Sequence, residues 1–132
     1  MFANRSRVIL LAVFFIVVNV KAQNNAMDDF LDDISFRLSD KPELVLEELD
    51  SFEKSCIEND VNYDKVQVLM LKGEGHYLLA EYKAAYSSYQ KALDVVQNES
   101  PNDIRRKADI YALIGRYFLD ILDHSKAESK LN

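Results

Sequence analysis

The chain has 132 residues, of which 16 are basic and 22 acidic, and its net charge at pH 7 is −6. This balance argues against a nucleic-acid partner, because a duplex is bound mainly through clustered Lys and Arg and the only tight basic group covers residues 105–107. A single cysteine, Cys56, excludes an intramolecular disulfide. The fold must therefore be held by packing, and we expect Cys56 to be a buried thiol, with intermolecular pairing as the alternative.

The amino terminus has the pattern of a secretory signal peptide. Arg5 and Arg7 precede an apolar run over 8–18, and the slim side chains of Val20 and Ala22 suit a cleavage site. We predict a signal peptide over 1–22 and export to the periplasm or the medium. The alternative is an uncleaved membrane anchor formed by 8–18, but spanning a bilayer takes roughly 17 to 25 apolar residues.

Cleavage after residue 22 would leave a mature chain, 23–132, with 13 basic and 22 acidic residues and a net charge of −9. Its length fits one domain. We expect this part to make no membrane contact, and its acidity could select basic partners.

Apolar residues recur at intervals of three and four through the mature chain, which is the helical period. The predicted stripes are Met27, Phe30, Leu31, Ile34 and Leu38; Val45, Leu49, Phe52 and Cys56; Val66, Leu69, Met70, Gly73, His76, Tyr77 and Ala80; Tyr82, Ala85, Tyr86, Tyr89, Ala92, Leu93 and Val96; and Ile104, Ala108, Tyr111, Gly115, Phe118 and Leu122. A sixth helix is expected to begin near Ser125.

Short loops between these helices require antiparallel neighbours. The sequence therefore predicts an all-α protein, an antiparallel stack of helix hairpins over about 26–57, 62–97 and 103–132, the last hairpin incomplete.

An internal repeat supports the stack. Gly73 and Gly115 lie 42 residues apart, as do Ala85 and Ala127. Glycine inside a helix costs about 1 kcal/mol relative to alanine, so its recurrence indicates a shared packing requirement. We expect Gly73 to let a neighbouring helix approach closely.

These residues resemble the tetratricopeptide repeat, and we suspect an exported, bacterial-type member of that family. The residues that carry the resemblance are Gly73, Ala80, Tyr82, Ala85, Tyr89 and Ala92 in the best copy, Gly115, Phe118, Ala127 and Leu131 in the second, and Val45, Leu49 and Phe52 in a weaker half-copy. The departures are the absence of tryptophan, His76 at the first-helix aromatic position, His124 at the turn tyrosine and the outward position of Pro101.

The resemblance implies a tetratricopeptide-like α-solenoid of about two and a half repeats that binds a protein or peptide on its concave face. The residues implied for that face are Gln67, Met70, Glu74, Tyr77, Asp109, Ala112, Arg116 and Leu119. Contact with solvent or with neighbouring helices is the alternative role for each of them.

No enzyme or metal signature is complete. Two S-x-x-K pairs lack the companion motifs of penicillin-recognising enzymes. Residues 60–64 begin like a calcium loop, but Lys65 and Leu71 replace the required glycine and glutamate. The acidic run over 28–33 suits a helix amino terminus. We therefore predict no catalytic residue, no cofactor and no metal.

Two functional interpretations fit the sequence better than an enzymatic one. One is a non-catalytic exported adaptor or scaffold that is completed by a partner or by self-association through its carboxy-terminal hairpin. The other is the extracytoplasmic input region of a longer signalling protein, such as a sensor kinase, a diguanylate cyclase or a transcriptional regulator, which is an analogy at the level of the fold.

Overall fold

The structure, a computed structural model, describes residues 21–131, and five helices account for most of them. Helix α1 covers 21–37, α2 covers Pro42–Glu58, α3 covers Lys65–Leu78, α4 covers Tyr82–Glu99 and α5 covers Ile104–Leu131. No strand occurs in this part of the chain, so the predicted all-α class is confirmed. None of these helices is long and apolar enough to cross a bilayer. The predicted signal peptide lies outside the described residues, apart from its last two positions.

The chain forms two compact units, Met1–Asp33 and Ile34–Asn132. In the described part of the first unit, 21–33 is helical and its four aspartates are exposed. In the second unit each helix packs against the next one in sequence: α2 against α3, α3 against α4 and α4 against α5. The contact between α3 and α4 is the most extensive, so this hairpin is the centre of the unit.

Local sequence sets where the helices of the second unit begin. Pro42 lies in the first turn of α2, where its missing N–H loses no hydrogen bond. The Asp64 carboxylate caps α3 by accepting the backbone N–H of Gln67 at 3.1 Å. Asp103 caps α5 in the same way, accepting the N–H of Arg106 at 3.0 Å. Each such cap is worth about 1 kcal/mol of helix stability.

The core of the second unit is built from one side of most helices and from two sides of α3. Its buried apolar residues are Ile34, Leu38, Val45, Leu49, Cys56, Val66, Val68, Leu71, Ala85, Tyr89, Ala92, Val96, Ile110 and Tyr117. The predicted core positions on α2 and α4 include several of these. On α3, Val68, Leu71 and Gly75 form a second buried stripe that was not predicted, because α3 lies between α2 and α4.

Two glycines of α3 permit these close contacts. A methyl group on Gly73 would lie 2.3 Å from Cε1 of Tyr89, on α4. A methyl group on Gly75 would lie 2.9 Å from Cδ2 of Leu46, on α2. Both distances are too short for carbon atoms, so the expectation that Gly73 lets a neighbouring helix approach is confirmed.

Helix α5 differs from the sequence prediction in length. It continues through His124 and Ser125 to Leu131, where a turn and a sixth helix were expected. Residues 116–131 contain neither glycine nor proline, and the Ser125 hydroxyl donates a hydrogen bond to the Leu122 carbonyl at 2.9 Å, which suits a continuing helix. The third hairpin is therefore replaced by a single helix of 28 residues.

The buried side of α5 also differs from the predicted stripe. Ile110 and Tyr117 are buried, with Leu113 and Ile114 half-buried beside them. The predicted core residues of this helix are instead exposed: Ile104, Ala108, Tyr111, Gly115, Phe118 and Leu122. Helix α5 thus carries two apolar stripes, and the described residues cover only one of them.

Candidate protein-binding face

Helices α3 and α5 run parallel, in register with an offset of 42 residues. Arg106 of α5 donates to the Asp64 carboxylate through Nη1 at 2.9 Å and through Nη2. Ten residues further along both helices, Arg116 Nη2 donates to Glu74 Oε1 at 2.5 Å. Each arginine therefore binds the acid that precedes it by 42 positions. This register places the residues predicted for the binding face side by side.

The eight predicted face residues are not equally accessible. The four on α3, namely Gln67, Met70, Glu74 and Tyr77, are half-buried, and the four on α5, namely Asp109, Ala112, Arg116 and Leu119, are exposed. Met70 and Tyr77 also pack against the core shared by α3, α4 and α5. The structure brings Glu74, Tyr77 and Arg116 into direct contact, and we call these three residues the Arg116 cluster.

The Arg116 cluster holds a guanidinium group in a fixed orientation. Its Cζ lies 4.6 Å from the centroid of the Tyr77 ring, a distance at which the ring face attracts a cation. The Arg116 side chain keeps 45% of its surface exposed and the Glu74 side chain 27%. A guanidinium has five N–H donors, and only one of them is used by Glu74. The cluster therefore presents further donors to an acceptor arriving from solvent.

Tyr89 lies buried on α4, close enough to the Arg116 cluster for its charges to act on the phenol. The pKa of Tyr89 is raised to about 12, mainly by burial and secondly by the Glu74 charge, while Arg116 acts in the opposite direction. The hydroxyl is buried and has no hydrogen-bond partner among the described residues. Tyr89 is therefore a neutral phenol at physiological pH.

Aromatic side chains of α4 and α5 pack together on a side of α5 other than the one that carries Arg116. The rings of Tyr86 and Tyr117 stack with centroids 5.3 Å apart and planes 15° apart. Phe118 meets Tyr86 edge-on at 5.6 Å, and Tyr82 approaches Tyr117 at 6.3 Å. Tyr86, which lies on the predicted apolar stripe of α4, therefore packs between the two helices. Tyr117 was missed, although it lies seven residues after the buried Ile110.

An open groove of about 500 Å³ lies between the start of α4 and the carboxy-terminal half of α5. Its lining includes Tyr82, Tyr117, Ile121 and His124. The groove was not predicted from the sequence, because a turn was expected at His124 and the helix continues there.

The described residues also include one cysteine and two histidines. Burial raises the pKa of the Cys56 thiol, and the nearby Glu53 charge adds to the effect, so the thiol is protonated and buried as predicted. His76 Nδ1 lies 2.6 Å from Glu81 Oε2, whereas His124 lies beside Tyr82. Between residues 21 and 131, no three His, Cys, Asp or Glu side chains are grouped to hold a metal ion.

Comparison with protein-family models, with curated proteins and with solved structures finds no match.

Proposed function

We propose that this chain is a non-catalytic protein-interaction module of the tetratricopeptide type, and that it binds a peptide segment along the face shared by α3 and α5. The observation that carries the proposal is the parallel register of the two helices at an offset of 42 residues, shown by the two arginine pairs. In a helical repeat protein, equivalent helices of successive units lie side by side and form an extended binding surface.

The dimensions of this face suit a short extended peptide. Helix α3 has 14 residues, and at 1.5 Å per residue it is about 20 Å long. An extended chain advances about 3.3 Å per residue, so the face accommodates roughly six residues. A helical ligand about 20 Å long would have only about four turns.

Although the chain as a whole is acidic, the exposed guanidinium of Arg116 favours a peptide with an acidic residue at that point of the face, between apolar ones. The free donors of Arg116 are oriented by Tyr77 and fit a carboxylate, which guanidinium binds in a bidentate manner. Leu119 is 65% exposed and offers apolar contact. Gln67 lies two turns before Glu74 on α3 and can donate and accept hydrogen bonds to a peptide backbone.

Selection from a displayed library of random seven-residue peptides tests this function. The expected result is a family of peptides with one Asp or Glu flanked by apolar residues. Their affinity for the Arg116→Ala variant should fall by about tenfold or more, since a charge-assisted hydrogen bond contributes about 1.5 to 3 kcal/mol.

The matched control is Lys91→Ala, which removes an exposed cation from α4 and should leave peptide binding unchanged. Selection of peptides without an acidic residue, or equal losses in both variants, would remove the support for this face. Retention of helical circular dichroism in both variants is required for the comparison.

A further inference from the structure

The uncovered apolar stripe of α5 forms a regular seam. It consists of the residues that were predicted to face the core, namely Ile104, Ala108, Tyr111, Gly115, Phe118 and Leu122. Their spacing alternates between four and three residues, the pattern of a helix that packs lengthwise against another helix. Ile104 is 77% exposed, Tyr111 54%, Phe118 47% and Leu122 53%. We call these six residues the α5 seam.

The order of side-chain sizes along the α5 seam is self-complementary. The seam is symmetric about Leu113, so two antiparallel copies centred there bring Ile104 opposite Leu122. In the same register Ala108 lies opposite Phe118 and Tyr111 lies opposite Gly115. Each small residue thus faces a large aromatic ring, and the two ends pair aliphatic side chains of similar size.

Gly115 gives this register a steric basis. A methyl group placed on Gly115 would meet no atom within 4 Å, in contrast to the tight contact at Gly73. Glycine in a helix costs about 1 kcal/mol relative to alanine, and no contact among the described residues explains that cost at this position. The ring of Tyr111 from a second copy would fill the space above Gly115.

Charges beside the seam match the same antiparallel arrangement. Arg105 and Asp123 are exposed, and both lie about 100° around the helix from the Ile104 to Leu122 line, on the same flank. Along one helix they are separated by 18 residues, or about 27 Å, so they cannot pair within a copy. In the antiparallel register Arg105 of each copy comes within reach of Asp123 of the other, twice by symmetry.

We infer that the α5 seam is the interface of a symmetric antiparallel homodimer whose two-fold axis passes between the two helices at the level of Leu113. In a two-fold interface the same patch is used by both copies, and each contact occurs twice. The size pattern and the charge pattern both meet this condition. A seam of five helical turns is short, and dimers of such small area dissociate in the micromolar range. This inference does not depend on the proposed peptide-binding face, whose α5 residues lie on the stripe next to the seam.

Sedimentation equilibrium of the full chain, purified as its expression host processes it, tests the dimer. We expect a monomer–dimer equilibrium between about 5 and 500 micromolar. The single variants Arg105→Glu and Asp123→Arg should each weaken it by about tenfold, since each one replaces two attractive ion pairs with two repulsive ones. The double variant carrying both changes should restore wild-type dissociation within about threefold.

Gly115→Leu provides a steric test within the same register. The leucine has room in the monomer, so helical circular dichroism should be retained, but it collides with Tyr111 of the second copy and should weaken the dimer by more than about tenfold. Three results would each overturn the inference: a wild-type chain that stays monomeric, a double variant no better than the single variants, or tighter association of Gly115→Leu. A parallel dimer gives the second of these results, because it brings Arg105 next to its own copy.

Discussion

Replacement of Gly73 by alanine tests the packing between α3 and α4 most directly. The new methyl group would lie 2.3 Å from Cε1, 2.6 Å from Cδ1 and 3.1 Å from Cζ of Tyr89. Tyr89 has no exposed surface, so its ring cannot swing into solvent. Either the ring or the whole of α4 must shift, and α3 and α4 share the largest interface of the second unit.

Two opposing terms set the magnitude of this effect. Alanine is about 1 kcal/mol better than glycine in a helix, while overpacking of a core costs about 1 to 3 kcal/mol and occasionally more. Overlap with three ring atoms belongs at the upper end of that range. We therefore expect Gly73→Ala to lower the free energy of unfolding by about 2 kcal/mol, which corresponds to a melting temperature lower by roughly 8 °C for a domain of this size.

Gly115→Ala is the matched control, since the two glycines occupy equivalent positions in the repeat. Its methyl group meets nothing within 4 Å, so only the helix-propensity gain of about 1 kcal/mol remains. Urea unfolding of both variants, followed by circular dichroism at low protein concentration, should give stability changes of opposite sign. Equal changes in the two variants, or a stabilised Gly73→Ala, would refute the packing argument.

Three further predictions concern Tyr89, Asp64 and cleavage after Ala22. Tyr89→Phe removes a buried hydroxyl without a described partner and should raise stability by about 1 kcal/mol near neutral pH. Because folding raises the pKa of Tyr89 to about 12, the folded chain binds more protons than the unfolded chain between about pH 10 and 12; alkaline urea titrations should show wild type losing about 2 to 3 kcal/mol more stability in that window than Tyr89→Phe. Asp64→Ala removes the cap of α3 and the partner of Arg106 and should cost about 2 kcal/mol in the same assay, whereas Asp109→Ala should stay within about 0.5 kcal/mol of wild type. The intact mass of the exported polypeptide should correspond to a chain that begins after Ala22; a mass that includes 1–22 would contradict cleavage there.

The helices and most of the α4 core could be predicted from sequence because their apolar residues lie on one side at the helical period. Helix α4 packs with a single face, and its buried residues Ala85, Tyr89, Ala92 and Val96 follow intervals of three and four. On α3 the same reasoning found only one of two buried faces. The missed face, Val68 with Leu71 and Gly75, exists because a second helix packs there, and periodicity alone does not tell how many neighbours a helix has.

On α5 two different apolar stripes follow the helical period, so the sequence does not tell which one is buried. Both the stripe through Ile104, Tyr111 and Phe118 and the stripe through Ile110 and Tyr117 have a spacing of seven residues. The first contains more large apolar residues, and the second is the one that is buried. The choice is made by tertiary contact, because the stacking of Tyr86 on Tyr117 fixes which side of α5 meets α4. No count of apolar residues along the chain contains that information.

The 42-residue repeat in the sequence corresponds only in part to contacts in the structure. The offset of 42 residues that appears in the glycines also appears in the two arginine pairs that join α5 to α3. Gly73 has its aromatic partner Tyr89 on the following helix, whereas Gly115 has open space. On α5 the proposed binding face and the uncovered seam are adjacent stripes, since Ala112, Arg116 and Leu119 each directly follow a seam residue. Because burying an exposed apolar seam against a second helix is favourable, we propose that α5 takes part in both peptide binding and the association of two copies, through these adjacent stripes.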